Sequence, residues 1–482
     1  MTLPDHKTKI VATIGPASES PEMLERLIRA GLNVARLNFS HGDFSGHTKR
    51  ISRIRAAARA TGRRVAIMAD LPGPKMRVGK IVPEPIELLA GDAFTLTSEE
   101  IDGNAQRVST SFARLPKVVK PGDRLFLNDG MIQLVVVRAS GKDVHCKVTV
   151  GGELRSRKGL NLPGIHLGRS AFTAHDRACL EFALKNGVDA VSQSFVETAA
   201  DIEAVRDAAA AFGKNPFLIA KIERSGALKN IEEILHAADG IMVARGDLGV
   251  EVPIEEMAIL QKQLIAKAKL AGKPVIIATQ MLESMTSSRL PTRAEATDVA
   301  NAILDGADCV MLSGESAMGK FPAEAVSTLA RIAAFTEGHR PNAVKAISRE
   351  YRPSTATEGM AAMVRHALDT VPFAAVFVPT QSGATARMIS RFSPAPWIVA
   401  LSGAHCVCQG LAFSYGVHPI QLGKEPPNWR EFAQSWLSEH TISGSIALLA
   451  AGASKQKPDA NYRLEFLRVG APLAKAKRSP RA

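Results

Sequence analysis

Short apolar runs rich in β-branched residues recur through the first 316 residues of the chain. They are Lys9–Gly15, Asn33–Ser40, Val65–Leu71, Asp189–Val196, Phe217–Glu223, Gly240–Gly246, Pro274–Gln280 and Cys309–Ser316. Their length and composition predict eight strands. Between most of them the apolar positions take a helical period, as over Pro21–Ala30, Ala199–Phe212, Met257–Ala271 and Ala294–Leu304. A glycine often stands where such a helix would end (Gly31, Gly213, Gly272). Strands alternating with helices imply a parallel sheet, and eight such units suggest a closed (β/α)8 TIM barrel, with an open doubly wound sheet as the alternative.

Two stretches break this rhythm. More than a hundred residues separate the third run from the fourth. Within them Leu125–Val137 and Asp143–Val150, followed by Gly151 and Gly152, read as antiparallel hairpins. They predict an inserted β-rich lid, a small β-barrel domain over residues 73–164, leaving near Pro72-Gly73-Pro74 and returning near Pro163-Gly164. An insertion after a barrel strand overhangs the C-terminal face, where active sites lie. The barrel then takes residues 1–72 and 165–340, and an α/β domain of regulatory type takes 341–482. That last unit shows a helical pattern at Gly359–Leu368 and a strand at Ala374–Pro379, followed by the loop and helix start Thr380–Arg387. Further strands are expected at Trp397–Leu401, Val417–Gln421, Ser445–Ala450 and Arg463–Val469.

Composition narrows the classes. The net charge of +13 could suit nucleic acid, but only three Tyr and three Trp accompany it, and basic residues are interspersed with acidic ones. Anionic small molecules explain the surplus better. The basic run Lys475–Arg481 reads as a disordered tail. No apolar signal segment follows Met1, and the weakly apolar stretch Ile442–Ala453 is too short to cross a bilayer, so no membrane partner and a cytoplasmic location are expected. Five cysteines without framework spacing suit a reducing compartment, and Cys406 and Cys408 form only a weak metal signal.

Chemistry gathers at the strand ends. Lys221 and Glu223, two residues apart, share one face of an apolar strand, where burial demands a partner or a ligand. A strand-end salt bridge would satisfy this pair alone. Other strands end alike: Arg36, Asn38 and Ser40 on the second, Asp70 on the third, Arg245-Gly246-Asp247 on the sixth, Thr279-Gln280 on the seventh, Ser313 and Glu315 on the eighth. Six of eight strands converging at one barrel mouth mark a site. Glu223 and Asp247 offer two hard oxygen ligands for Mg²⁺, leaving positions for water and substrate oxygens. Arg36 and Lys221 add positive charge, and the amides of Gly246 and Asp247 open a turn suited to an anion. This is equipment for phosphoryl transfer. The stretch Gly314–Phe321 nearly matches a phosphate-binding loop, but Phe321 cannot supply the metal-binding hydroxyl.

The segments Thr13-Ile-Gly-Pro-Ala-Ser18, Asn38-Phe-Ser-His-Gly42, Lys158-Gly-Leu-Asn-Leu-Pro-Gly164, Lys221-Ile-Glu223, Ala244-Arg-Gly-Asp-Leu-Gly249, Ala278-Thr-Gln-Met-Leu-Glu-Ser284 and Met311-Leu-Ser-Gly-Glu315 resemble the motifs of the pyruvate kinase family, in its order. The resemblance spans residues 7–340 strongly and the remainder more weakly. It implies transfer of phosphate from phosphoenolpyruvate to ADP, giving pyruvate and ATP, in glycolysis. By position, Lys221 would stabilise the phosphoryl group and enolate, Glu223 and Asp247 would hold Mg²⁺ (or Mn²⁺), and Arg36 would meet the substrate phosphate. Gly246, Asp247 and Thr279 would seat the carboxylate. Arg77 and Lys158 would reach the nucleotide near Asn38 and His41, and Ser313 and Glu315 would be linked to enolate protonation. A homotetramer is the family's habit.

Two departures bear on this resemblance. The family commonly binds K⁺ through residues like Asn38, Ser40, Asp70 and the carbonyl of Leu71, with a loop reading Asp-Thr-Lys-Gly-Pro-Glu. Here it reads Asp70-Leu-Pro-Gly-Pro-Lys75, so a lysine ammonium is expected to replace the cation and K⁺ not to be required. The loop Thr380, Ser382, Gly383, Thr385 resembles one that binds an effector's phosphate, yet Ala453–Asn461 lacks the Gly-rich character of members regulated by fructose 1,6-bisphosphate. A helix cap without ligand is the other reading. The alternatives to the kinase are a Mg²⁺-dependent barrel lyase or aldolase acting on pyruvate-type enolates, or a non-catalytic metabolite-binding relative.

Overall fold

A computed structural model describes residues 3–165, 167–168, 170–339, 352–452 and 461–470. The eight expected strands form one closed parallel barrel: β1 (Lys9–Thr13), β2 (Leu32–Asn38), β3 (Ala66–Leu71), β4 (Ala190–Gln193), β5 (Phe217–Ile222), β6 (Gly240–Ala244), β7 (Val275–Ala278) and β8 (Cys309–Leu312). Each strand pairs with its neighbours in sequence, and β8 closes onto β1 with Lys9 opposite Cys309. The open doubly wound alternative is thereby excluded.

The strands are nearly all apolar because both faces are covered. Val11, Val34, Met68, Ile219, Met242, Ile276 and Met311 fill the barrel interior. The alternate positions pack under the outer helices with Leu24, Leu27, Ile54, Leu180, Ile265 and Leu329. Pro21–Ala30 forms the expected helix, capped by the Ser20 side chain and closed by Gly31 at φ 124°.

All the barrel strands but β3, which ends at Leu71 as expected, stop one to four residues short of the expected ends. Arg36, Asn38, Asp70 and Lys221 thus stay within strands, whereas Glu223, Asp247, Thr279, Ser313 and Glu315 are held over the mouth by the segments that follow. Thr279 and Gln280, expected to finish β7, have φ of 69° and 54°, which no strand allows. Ser40 likewise does not extend the face of β2. The strand ends at Asn38, and the turn that follows leaves Ser40 exposed.

The insertion has its own core of Met76, Phe94, Leu125, Leu134 and Val144, among others. Its larger sheet has six strands, with Arg124–Leu127, Ile132–Ser140 and Asp143–Val150 forming the expected antiparallel run. The chain leaves the barrel through Gly73 at φ 64° and returns through Gly164 at φ 71°. The third unit is a five-stranded sheet ordered Val417–Gln421, Trp397–Ser402, Ala375–Pro379, Ile446–Ala451, Arg463–Arg468, with only the last strand antiparallel. The start of this unit at residue 341, most of the Ala453–Asn461 loop and the Lys475–Arg481 run lie outside the described residues.

This third unit closes the floor of the barrel. Phe413 joins the barrel's interior cluster, and its ring stacks on Phe217 at the start of β5 with centroids 5.3 Å apart. Beside it the ammonium of Lys9, from β1, donates to the Val417 carbonyl at 2.8 Å and lies 5.4 Å from the centre of the Trp397 ring. Burial lowers the Lys9 ammonium from 10.5 to about 8, against the raising effects of Cys309, Glu337 and Asp308.

Below pH 8 the folded chain carries this charge at its full burial cost. Between about 8 and 10.5 only the unfolded chain holds the proton, so stability rises with pH across that window. Lys9→Met should remove this rise, on the order of 3 kcal/mol. Guanidinium unfolding of both chains at neutral and alkaline pH measures it, and parallel pH slopes would contradict it.

Candidate active site

Register builds the mouth around Asp70. Asn38 of β2 and Ser192 of β4 both pair with Asp70 of β3. The carboxylate is buried and fully engaged. Arg36 Nε donates to Oδ2 at 2.8 Å, the Ser192 hydroxyl donates to Oδ1 at 2.8 Å, and Lys221 Nζ stands 3.3 Å from Oδ1. Burial alone would push the Asp70 carboxyl up, but the charges of Lys221 and Arg36 and the hydrogen bonds from Arg36 and Ser192 hold it below the usual range. Arg36 also donates to the Thr13 hydroxyl at 2.8 Å.

Lys221 is the next link. Its ammonium lies 2.7 Å from Glu223 Oε1 and donates to the Ser194 hydroxyl at 2.7 Å; that hydroxyl donates in turn to the Leu71 carbonyl at 2.7 Å. Burial opposes its charge, yet Asp70 and Glu223 outweigh burial and raise its pKa, keeping the lysine an ammonium. The salt bridge considered from sequence is present, but as one link in a chain of buried charges.

Glu223 accepts the Phe195 amide at 2.8 Å through its second oxygen. Its carboxyl is raised by burial and, despite Lys221, by the charge of Asp247. Two neighbouring carboxylates whose repulsion one ammonium leaves uncompensated fit a divalent cation with oxygen ligands. Asp247 stands in the first turn of the short helix Arg245–Glu251, just past β6.

The Gly246 amide at that helix start donates to the Thr279 hydroxyl at 2.7 Å, and a Cβ on Gly246 would meet the same oxygen at 3.4 Å. Arg245 holds the strained Thr279 in place, donating to its carbonyl at 2.8 Å while pairing with Asp298 at 2.7 Å. Glu315, fully buried, spends both carboxylate oxygens on backbone amides, those of Ser313 at 2.7 Å and Leu282 at 3.1 Å. It ties the loops after β7 and β8 together.

On the lid side positive charge collects about His41. Burial, then Arg77, Lys75 and Arg36, holds this imidazole below its usual value. Arg77 bridges to Gly159, beside Lys158, and its guanidinium donates to the Arg157 carbonyl at 2.9 Å. Asn38 Oδ1 accepts the Ser40 amide at 3.0 Å. Lys75 is exposed and, among the described residues, makes no ion pair with Asp70; the cations that Asp70 meets are Arg36 and Lys221. Lys75 instead lines a cavity under the lid with Asp129, Asn161, Asp247 and Glu251.

The second candidate loop lies in the third unit. Thr380 Oγ1 accepts the Gly383 amide at 2.9 Å, Ser382 Oγ accepts the Ala384 amide at 3.4 Å, and Thr385 is buried in the helix Ala384–Ser390.

Sequence reasoning passed over Ser192, Ser194, Phe195 and Arg224, and it named Thr13 and Arg245 within motifs without giving either a role. The alternation Ser192-Gln193-Ser194 at the end of β4 carried the same signal that singled out Lys221 and Glu223.

Fold and mouth together define a barrel phosphotransferase with an inserted lid. The model described as "Pyruvate kinase, barrel domain" matches residues 5–326, and "Pyruvate kinase, alpha/beta domain" matches residues 358–458. A pyruvate kinase from Thermococcus litoralis is 49% identical over 425 residues, covering 87% of this chain and 90% of its own. One from Sporosarcina psychrophila is 42% identical, covering 92% and 78%. The crystal structure of a pyruvate kinase from Cryptosporidium parvum superposes with a TM-score of 0.90 at 36% identity, covering 97% of each chain. The chain belongs to the pyruvate kinase family, a family of glycolytic kinases. Among the described residues no helix is long and apolar enough to cross a membrane.

If Asp70 is the counter-charge that Arg36 and Lys221 share, Asp70→Asn leaves Arg36 buried without its carboxylate and Lys221 with Glu223 alone, at a cost of about 3–5 kcal/mol. Urea unfolding measures it; an unchanged midpoint would show that Arg36 and Lys221 are balanced by other groups.

Proposed function

We propose that the chain transfers the phosphoryl group of phosphoenolpyruvate to ADP, giving pyruvate and ATP. The observation that carries this reading is the buried succession Arg36–Asp70–Lys221–Glu223, which holds two cations at fixed points beside a carboxylate pair. Such a constellation stabilises charge that moves between phosphate and leaving oxygen without reorganising.

In this reading Arg36 takes the substrate phosphate. Glu223 and Asp247 would hold Mg²⁺, which would supply Lewis-acid charge for phosphoryl transfer. The Asp247 amide and Thr279 orient the substrate carboxylate, with Gly246 positioning the Thr279 hydroxyl. Lys221 faces the bridging oxygen: as the P–O bond breaks and a new one forms to the terminal ADP oxygen, its ammonium compensates the developing enolate. The enolate carbon then takes a proton on the side of Thr279 and Ser313, whose loops Glu315 fixes. Arg77 and Lys158 reach the ADP phosphates beside His41 and Asn38.

K⁺ is not required in this reading. The Asp70 oxygens are met by Arg36, Lys221 and Ser192, the Leu71 carbonyl by Ser194, and Lys75 adds its charge at the entrance. A phosphorylated effector at Thr380–Thr385, a homotetramer and a cytoplasmic location complete the proposal.

Pyruvate release, followed in Mg²⁺ with a bulky organic counter-cation, should depend wholly on ADP and be unchanged by added K⁺. Release without ADP would favour a lyase, and strong rescue by K⁺ would refute the monovalent-cation reading. Lys221→Ala should lower kcat by two or more orders of magnitude, about 1.4 kcal/mol per tenfold, with a smaller change in KM. A near-normal kcat would leave the lysine a salt-bridge partner only.

A further inference from the structure

Arg224 follows the metal carboxylate Glu223 in sequence, belongs to none of the motifs above, and is 4% exposed. A buried guanidinium must be matched on every side, and its partners here come from three separate segments. Nη1 pairs with Glu197, beyond β4, at 2.6 Å. Nε faces Glu251 at 3.7 Å. Nη2 donates to two backbone carbonyls of the lid's return segment, Ile165 at 2.7 Å and Leu162 at 3.2 Å.

Those carbonyls bracket Pro163-Gly164, where the chain re-enters the barrel with Gly164 at φ 71°. The Gly164 amide is held as well, by the Glu251 carboxylate, which also accepts the Ser225 amide and hydroxyl at 3.3 and 3.1 Å. Glu251 ends the helix whose first turn carries Asp247. The return hinge is thus tied at its carbonyls to the residue after Glu223, and at its amide to the helix that presents Asp247. The outgoing hinge packs closely against the same place. A Cβ on Gly73 would lie 2.9 Å from the Phe195 ring, and the Phe195 amide donates to Glu223.

We propose that Arg224 is a positioning residue that couples the lid's return hinge to the metal carboxylates Glu223 and Asp247, so that the set of the lid fixes their spacing. The proposal rests on the reading of those two carboxylates as the divalent-metal ligands. Mere space-filling by Arg224 would make its loss a matter of stability alone. Coupling makes it a matter of metal affinity in the folded enzyme, where loss of a residue that supports a metal ligand typically costs ~10–100-fold.

The experiment titrates the full chain with Mn²⁺, without substrates, and reads free Mn²⁺ by electron paramagnetic resonance. Hydrogen exchange of the Leu162, Gly164 and Ile165 amides is followed in parallel. R224Q, shown folded by circular dichroism, should bind Mn²⁺ on the order of tenfold more weakly and exchange faster at the hinge, and R224K should recover part of both. E251Q should weaken Mn²⁺ binding in the same direction, and it stands in for R224Q should that variant not fold. Wild-type Mn²⁺ affinity in a folded R224Q or E251Q overturns the coupling, even where hinge exchange is faster. D247N separates the two readings: wild-type binding in D247N overturns the metal assignment itself, whereas lost binding in D247N beside intact binding in R224Q overturns only the role of Arg224.

Discussion

A carboxylate, a guanidinium and two further ionisable groups removed from water would each incur several kcal/mol of desolvation if alone. At this barrel mouth they are removed together, and the pairing that offsets the cost also sets the geometry. Asp70 meets Arg36 on one side and Lys221 on the other; Lys221 meets Glu223; Glu223 feels Asp247. Moving any member strands its neighbour. The mouth is therefore rigid for electrostatic reasons, and the parallel register that sets Asn38 and Ser192 beside Asp70 is what makes the charges meet.

The loops around this chain store what the strands cannot. Phe195, Thr279 and Gln280 all have left-handed backbones without being glycines, and all lie within two residues of the end of a barrel strand. Strain of this kind persists only where surroundings over-determine it. Arg245 bonding to the Thr279 carbonyl, and Glu223 accepting the Phe195 amide, supply that constraint. The same contacts aim the Thr279 hydroxyl and the Glu223 carboxylate.

Much of this could be read from the chain because the strands are doubly buried, so each is an unbroken apolar run ending in conspicuous polarity. The ends themselves could not be placed. Thr279 and Gln280 look like continued strand, and only tertiary contacts turn them left-handed. Ser192 and Ser194 passed unnoticed because serines at a strand end resemble an ordinary turn. Arg224 was unreadable for a different reason: its partner Leu162 lies 62 residues earlier, in another domain. Lys75 shows the converse failure, since a substitution within a loop says that a charge has changed but not how far its side chain stands from Asp70.

The Phe413 ring that closes the barrel floor has a consequence for synthesis. Chains emerge from the ribosome N-terminus first, and domains generally fold in that order. All eight barrel strands are available once Leu312 has emerged, yet a ring that packs against their interior is encoded a hundred and one residues later. Until then Phe217 lacks the Phe413 ring that stacks on it, and the interior cluster lacks the member that the last domain supplies. The nascent barrel is thus a closed cylinder with an unfinished base, and the last domain made is the one that completes the first.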